Sequence, residues 1–134
     1  MNKKINIGIL GVGRISSKHI SAIKKNSKYM NLLAICDVKK KKLNADLNLL
    51  KFNSLKKMLK KIRNIDLVSI CTPSGLHKSH AIQCLKKGIN VLIEKPMALN
   101  KRDAKEIINI GKKYKKKIFV CLQNRYNPTI QILK

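Results

Sequence analysis

Ile5-Asn6-Ile7-Gly8-Ile9-Leu10-Gly11-Val12-Gly13-Arg14-Ile15-Ser16 is the stretch that decides the fold of this chain. An apolar run of strand character ends at two glycines, Gly11 and Gly13, and a helical pattern starts immediately after. A second apolar run, Leu32-Leu33-Ala34-Ile35-Cys36, is closed by an acid, Asp37. The order strand, glycine turn, helix, strand, acid is what a dinucleotide requires. Gly11 permits the tight turn, Gly13 lets the backbone approach a pyrophosphate, and Ser16 is small enough for the helix to pack close to the strand. The pyrophosphate would sit at the helix N-terminus, where free N–H groups and the helix dipole favour an anion. Asp37, about 20 residues past the turn, would accept hydrogen bonds from the adenosine ribose hydroxyls. Ser16 stands where a third glycine is usual, and the glycines alone also fit an ordinary strand-to-helix turn. The acid after the second strand favours the dinucleotide.

Outward from this motif, apolar strand-like runs alternate with lysine-rich helical patterns. The strands are predicted at Ile5–Leu10, Leu32–Cys36, Leu50–Phe52, Leu67–Cys71, Asn90–Ile93 and Ile118–Leu122, and the helices at Ile15–Lys25, Lys39–Leu47, Ser54–Lys61, Leu76–Lys87 and Lys101–Tyr114. Continuous apolar strands suit a parallel sheet covered on both faces. Their alternation with helices predicts a doubly wound, three-layer α/β domain of Rossmann type with right-handed crossovers. Ser54 is expected to cap the third helix. Gly88 and Gly111 are expected near helix ends, where a left-handed residue is cheap.

At 134 residues with 44% hydrophobic content, the chain is the size of one domain and can bury a core. No apolar run approaches the ~18 residues of a membrane span, and Met1-Asn2-Lys3-Lys4 leads straight into the first strand, so neither a membrane nor a cleavable signal is expected. Cys36, Cys71, Cys84 and Cys121 are widely spaced within apolar patterns, which predicts buried reduced thiols of a cytoplasmic protein, with no metal site. The net charge of +25 raises nucleic acid as a partner. The charge is nearly all lysine, however, with Arg14, Arg63, Arg102 and Arg125 the only arginines. Lysine, isoleucine and asparagine together are what an AT-rich coding sequence produces, so we read much of the charge as drift on solvated faces. Aromatic residues, at 4%, supply no stacking platform, which argues against nucleic acid. The charge can still attract phosphorylated ligands over long range.

Ligands of open α/β sheets bind outside the carboxyl ends of the strands. The unusual residues of this chain collect there. Thr72-Pro73-Ser74-Gly75-Leu76-His77 follows the fourth strand: Thr72 and Ser74 offer hydroxyls, Pro73 stiffens the turn, and His77 either touches a ligand or is a solvent-facing residue at the helix start. His19 and His80 fall inside helical patterns and suggest no role. Glu94-Lys95-Pro96 follows the fifth strand, where a charged pair is costly unless it is paired or serves a site. Lys95 could bond a substrate hydroxyl or act in proton transfer, or simply pair with Glu94 at the surface. Pro96 makes a cis Lys95-Pro96 bond a candidate. Gln123-Asn124-Arg125-Tyr126-Asn127-Pro128 follows the sixth strand, and its donors suit an oxygen-rich ligand or a polar loop.

Together these segments resemble the Gfo/Idh/MocA oxidoreductase family, collinearly through essentially the whole chain. The Glu-Lys-Pro element is the most specific part. Thr-Pro-Ser-Gly-Leu-His with Gln-Asn-Arg-Tyr-Asn-Pro is most similar to the sugar-nucleotide branch, whose members oxidise the C3 hydroxyl of UDP-N-acetylglucosaminuronic acid in bacterial surface-polysaccharide synthesis. The resemblance implies NAD as cofactor, with Gly11, Gly13, Arg14 and Ile15 lining its pyrophosphate. It implies that Asp37 selects NAD over NADP, with Lys39 and Lys40 weakening that preference. Thr72, Pro73, Ser74 and His77 would flank the cofactor, Glu94 would contact its nicotinamide-ribose side, and Lys95 would be the catalytic or substrate-orienting lysine. Gln123 and Arg125 would border nicotinamide and substrate.

The family carries a second α/β domain that supplies most substrate contacts and the oligomer interface. Residues 1–124 are therefore expected to be the dinucleotide-binding domain, and residues 125–134 the start of the connection to that second domain. The expected partners are a sugar or sugar-nucleotide substrate and either a homo-oligomer or a complementing second-domain polypeptide. The chain alone is expected to bind NAD with little or no turnover. A non-catalytic NAD-binding module, a basic nucleic-acid binder and an inactive fragment are the competing expectations.

Overall fold

A computed structural model describes residues 3–44 and 49–132. Six strands, β1 (Ile5–Leu10), β2 (Met30–Cys36), β3 (Leu50–Phe52), β4 (Leu67–Ile70), β5 (Asn90–Glu94) and β6 (Ile118–Cys121), form one sheet in the order β3-β2-β1-β4-β5-β6. Every pairing is parallel. The intervening helices are α1 (Arg14–Lys25), α2 (Leu55–Lys61), α3 (His77–Lys86) and α4 (Lys101–Lys113), followed by a short α5 (Pro128–Ile132). The strand order reverses between β1 and β4. That switch point leaves a crevice at the carboxyl ends of the strands.

Alternation along the strands explains the layering, because successive side chains point to opposite faces. Ile7 and Ile9 of β1 pack with Ile23 of α1 on one face, while Leu10, Val68, Ile70, Val91 and Ile93 pack beneath α2, α3 and α4 on the other. Burying apolar area of this kind contributes roughly 25 cal/mol per Å². The α1 layer is one helix wide. Its side of the sheet therefore stays open over β5 and β6, where Leu92 is half-buried and Phe119 is 48% exposed. Among the described residues, both faces carry helices as expected, with the cover over β5 and β6 partial on the α1 side.

Three expectations change. Lys39–Leu47 does not begin as an α-helix: the chain makes a 3-10 turn over Lys40–Asn44, and Leu47 lies outside the described residues. Four consecutive lysines repel one another there, and Leu43 alone anchors the turn in the core. Ser54 occupies the cap position of α2 without a capping hydrogen bond from its side chain, whereas Asn100 caps α4 by accepting from the Asp103 N–H at 2.8 Å. Gly111 falls in the last turn of α4, near a helix end as expected, but it is not left-handed. It lies inside α4, where an added Cβ would stand 2.5 Å from Cδ1 of Ile118, so its role is close helix-to-strand packing. Among the described residues, those with positive φ are Gly11 in the turn after β1, Gly88, as expected, and Lys115.

Candidate active site

The turn after β1 is fixed by backbone geometry. Gly11 has φ +92°, and a Cβ there would lie 2.8 Å from the carbonyl of Cys71, so the two strand ends can approach only because the residue is glycine. Its N–H donates to the Cys36 carbonyl at 2.7 Å, and the Cys71 N–H donates to the Leu10 carbonyl at 2.7 Å. These bonds lash the ends of β1, β2 and β4 together. Ser16 is buried, and its hydroxyl donates to the Gly13 carbonyl at 2.6 Å, which seats α1 close to the sheet.

A cleft of about 580 Å³ opens at this junction. Gly11, Gly13, Arg14, Ile15, Asp37, Thr72 and Pro73 all line it, as expected for a dinucleotide site. Two observations fit a pyrophosphate. A Cβ on Gly13 would touch nothing within 4 Å, so the missing side chain leaves free room. The N-terminus of α1 has no capping side chain and no acid in its first turn, so its N–H groups and dipole remain available to an anion. At the other end, Asp37 is buried; its Oδ2 accepts from the Val12 N–H and its Oδ1 from the Lys39 N–H, each at 2.8 Å. Each carboxylate oxygen retains a lone pair for a ribose hydroxyl.

His77 is neither in solvent nor on the cleft wall. It is 1% exposed, with Nδ1 2.8 Å from the Pro96 carbonyl and Nε2 2.8 Å from the Thr72 carbonyl. It ties the loop after β4 to the loop after β5 from behind. Ser74 begins a 3-10 turn, Ser74–Leu76, and also lies outside the cleft lining. His80 stands in the lining instead, with Nδ1 3.0 Å from Oγ1 of Thr72. Burial, with a smaller contribution from nearby His77, holds its pKa below the ordinary value.

A neighbouring depression of about 300 Å³ shares Ile15 with the cleft and is lined by His19, Glu94, Cys121 and Gln123. A third, of about 200 Å³, shares Gln123 and brings Lys95, Asn124 and Arg125 together. The three depressions are neighbours, the first two sharing Ile15 and the last two Gln123. Lys95 is exposed, and the Lys95-Pro96 bond is cis.

Sequence reasoning missed His19. Its Nε2 lies 2.6 Å from Oε1 of buried Glu94, and its Nδ1 lies 2.9 Å from Oγ of buried Ser69. Strand alternation puts Ser69, Glu94 and Cys121 on the α1 face, and His19 reaches them one and a half turns into α1. Glu94 thus pairs with His19, not with Lys95. Atoms of His19, Glu94 and Cys121 lie within 4.8 Å of one another, a grouping capable of holding a metal ion that no spacing in the sequence announces. Burial, and then Glu94, raise the Cys121 pKa, and burial pushes Cys36 and Cys71 up to about 11 and Cys84 up to about 12, so these thiols stay protonated at neutral pH.

The model of the Gfo/Idh/MocA oxidoreductase family, NAD-binding Rossmann fold, matches residues 5–122. The chain belongs to this family. Among solved structures of its members, the WlbA dehydrogenase from Chromobacterium violaceum, in complex with NADH and UDP-GlcNAcA, is 37% identical, with a TM-score of 0.95 over 99% of this chain and 39% of that one. The WlbA dehydrogenase of Bordetella pertussis, also with NADH and UDP-GlcNAcA, is 37% identical, with a TM-score of 0.94 over 98% of this chain and 41% of that one. A UDP-N-acetylglucosamine 3-dehydrogenase of Acidithiobacillus ferrooxidans is 26% identical over 127 residues, 95% of this chain and 40% of its own length. The chain thus spans about two fifths of the length of these relatives. Among the described residues, no helix is long and apolar enough to cross a membrane.

Proposed function

We propose that this chain is the cofactor-binding half of a cytoplasmic NAD-dependent dehydrogenase. Its substrate is a sugar nucleotide, a UDP-N-acetylhexosaminuronate oxidised at its C3 hydroxyl in surface-polysaccharide biosynthesis. The observation that carries this reading is the cleft between Gly13 and Asp37, with depressions beside it lined by Glu94, Gln123, Lys95 and Arg125. The likeness to two dehydrogenases holding NADH and UDP-GlcNAcA supports the substrate class.

Asp37 would hold the adenosine ribose, and the α1 N-terminus with Gly13 the pyrophosphate. When bound, NAD supplies the hydride acceptor. Lys95 orients the substrate hydroxyl and manages its proton, while Gln123 and Arg125 hold neighbouring oxygens. His19 keeps Glu94 in one orientation beside the cleft, and Ser69 does the same for His19. A second domain, on the same polypeptide or a partner, completes the substrate site beyond residue 124.

The test joins this chain to the remaining part of a WlbA dehydrogenase and follows NADH formation on UDP-GlcNAcA. NAD reduction on UDP-GlcNAcA that Lys95→Ala abolishes without loss of NAD affinity supports the proposal. A folded, NAD-binding chimera that ignores UDP-GlcNAcA contradicts the substrate class.

A further inference from the structure

We infer that His19, Glu94 and Cys121 form a binding site for a soft divalent transition ion of the zinc class. One ligand atom from each lies within 4.8 Å of the other two. The three come from separate elements: His19 from α1, and Glu94 and Cys121 from the paired ends of β5 and β6. None of them lines the dinucleotide cleft. Imidazole, carboxylate and thiolate are the ligands that zinc takes, whereas magnesium takes oxygen. The charges also balance. A neutral imidazole, a carboxylate and a thiolate carry two negative charges, which one divalent ion cancels. That balance matters here, because the His19 and Glu94 side chains are each only 10% exposed.

The surroundings are those of a ligand set. Oγ of Ser69 lies 2.9 Å from Nδ1 of His19. A metal-binding histidine ordinarily makes such a bond with its other ring nitrogen, which fixes the ring and aims the free one. Nε2 lies 2.6 Å from Oε1 of Glu94, closer than the roughly 3.3 Å between two ligands of a tetrahedral ion. That spacing suits a shared proton, and the ion takes the proton's place as the two side chains part by less than about 1 Å. Glu94 can move, because its Oε2 accepts only a long bond, from the Lys95 N–H at 3.3 Å. Cys121 releases its thiol proton to solvent in the same exchange. All three residues line the depression of about 300 Å³, which gives the ion its entry and leaves room for water as a fourth ligand. The other ionisable groups nearby are Lys18 of α1 in the same depression, Lys95 after β5, and Cys71, whose Sγ is 3.6 Å from Oγ of Ser69.

The experiment titrates the reduced chain with zinc against a chromophoric chelator, without dinucleotide, and repeats the titration with cobalt as a spectroscopic substitute. One zinc binds per chain with a Kd of ~1 µM or tighter near neutral pH, and ~1 mM magnesium does not displace it. Cobalt gives the near-ultraviolet charge-transfer band of a thiolate ligand. Affinity falls at least about tenfold between about pH 7.5 and about pH 6, as protons return to the ligands. Cys121→Ser and His19→Gln each weaken zinc at least about tenfold, and Cys121→Ser also abolishes the cobalt band. Cys84→Ala, in the core under α3, changes neither the stoichiometry nor the band. Circular dichroism establishes that each variant is folded. The inference is overturned if the folded parent binds zinc no more tightly than ~100 µM. It is equally overturned if folded Cys121→Ser keeps the parent's affinity and cobalt band. Neither outcome bears on the cofactor reading, because no dinucleotide is present.

Discussion

Val12 donates its backbone N–H to Oδ2 of Asp37 at 2.8 Å. The turn that would hold a pyrophosphate and the acid that would hold the ribose are therefore one hydrogen-bonded unit. Asp37→Ala removes an acceptor from two backbone donors, those of Val12 and Lys39. Hydrogen bonds to a charged group contribute about 1.5–3 kcal/mol each, so NAD affinity should fall at least tenfold, with a stability loss of roughly 3–6 kcal/mol for the two. Urea denaturation and titration of the same preparation check both. Unchanged stability would mean that the two backbone bonds contribute nothing.

The two glycines of the motif should separate by their phenotypes. Gly11→Ala forces a side chain into a left-handed backbone and against the Cys71 carbonyl, which costs about 2 kcal/mol or more. Gly13→Ala meets no protein atom within 4 Å. It should leave stability within ~1 kcal/mol of the parent yet weaken NAD binding at least tenfold. The reverse ranking in a paired urea and NAD titration would mean that the free room at Gly13 is not the cofactor's.

His19 and Glu94 should be energetically coupled. Removing His19 leaves a buried carboxylate without its 2.6 Å partner. In a double-mutant cycle with His19→Ala and Glu94→Gln, the coupling should be about 1–3 kcal/mol. Additive losses in thermal or urea unfolding would reduce the pair to a chance approach.

His80 should leave a mark on the pH dependence of stability. Burial and His77 lower its folded pKa below the ordinary 6.5. The unfolded chain therefore takes up the proton first as pH falls. Its contribution is fully present above the unfolded value and is lost as pH falls toward and through the folded one. His80→Gln should flatten the decline in stability below about pH 6.5, relative to the parent. Parallel curves for parent and variant would rule out that assignment.

The strands were legible because their residues are mostly apolar, although Asn6 interrupts β1 and Lys51 interrupts β3. Ile5–Leu10 and Leu50–Phe52 fall where the pattern puts them. The Lys39–Leu47 segment misled because an apolar period was read without the repulsion of four adjacent lysines. Of the residues that line the cleft, Gly11, Gly13 and Asp37 carry local signatures that can be read in the sequence. His19 carries none, because its partners Ser69 and Glu94 lie 50 and 75 residues away and meet it only once the sheet forms. His77 was expected to flank the cofactor or to face solvent at a helix start, yet it is buried between two carbonyls that come from separate loops. Local backbone demands can be read from a chain, whereas side-chain partnerships across a sheet cannot.

The most direct test of the central claim is calorimetric titration of the chain with NAD at near-physiological salt, alongside Asp37→Ala. The account predicts saturable one-to-one binding that the substitution weakens at least tenfold. A folded chain that takes up no NAD, or an Asp37→Ala variant that binds it as tightly as the parent, would contradict the account.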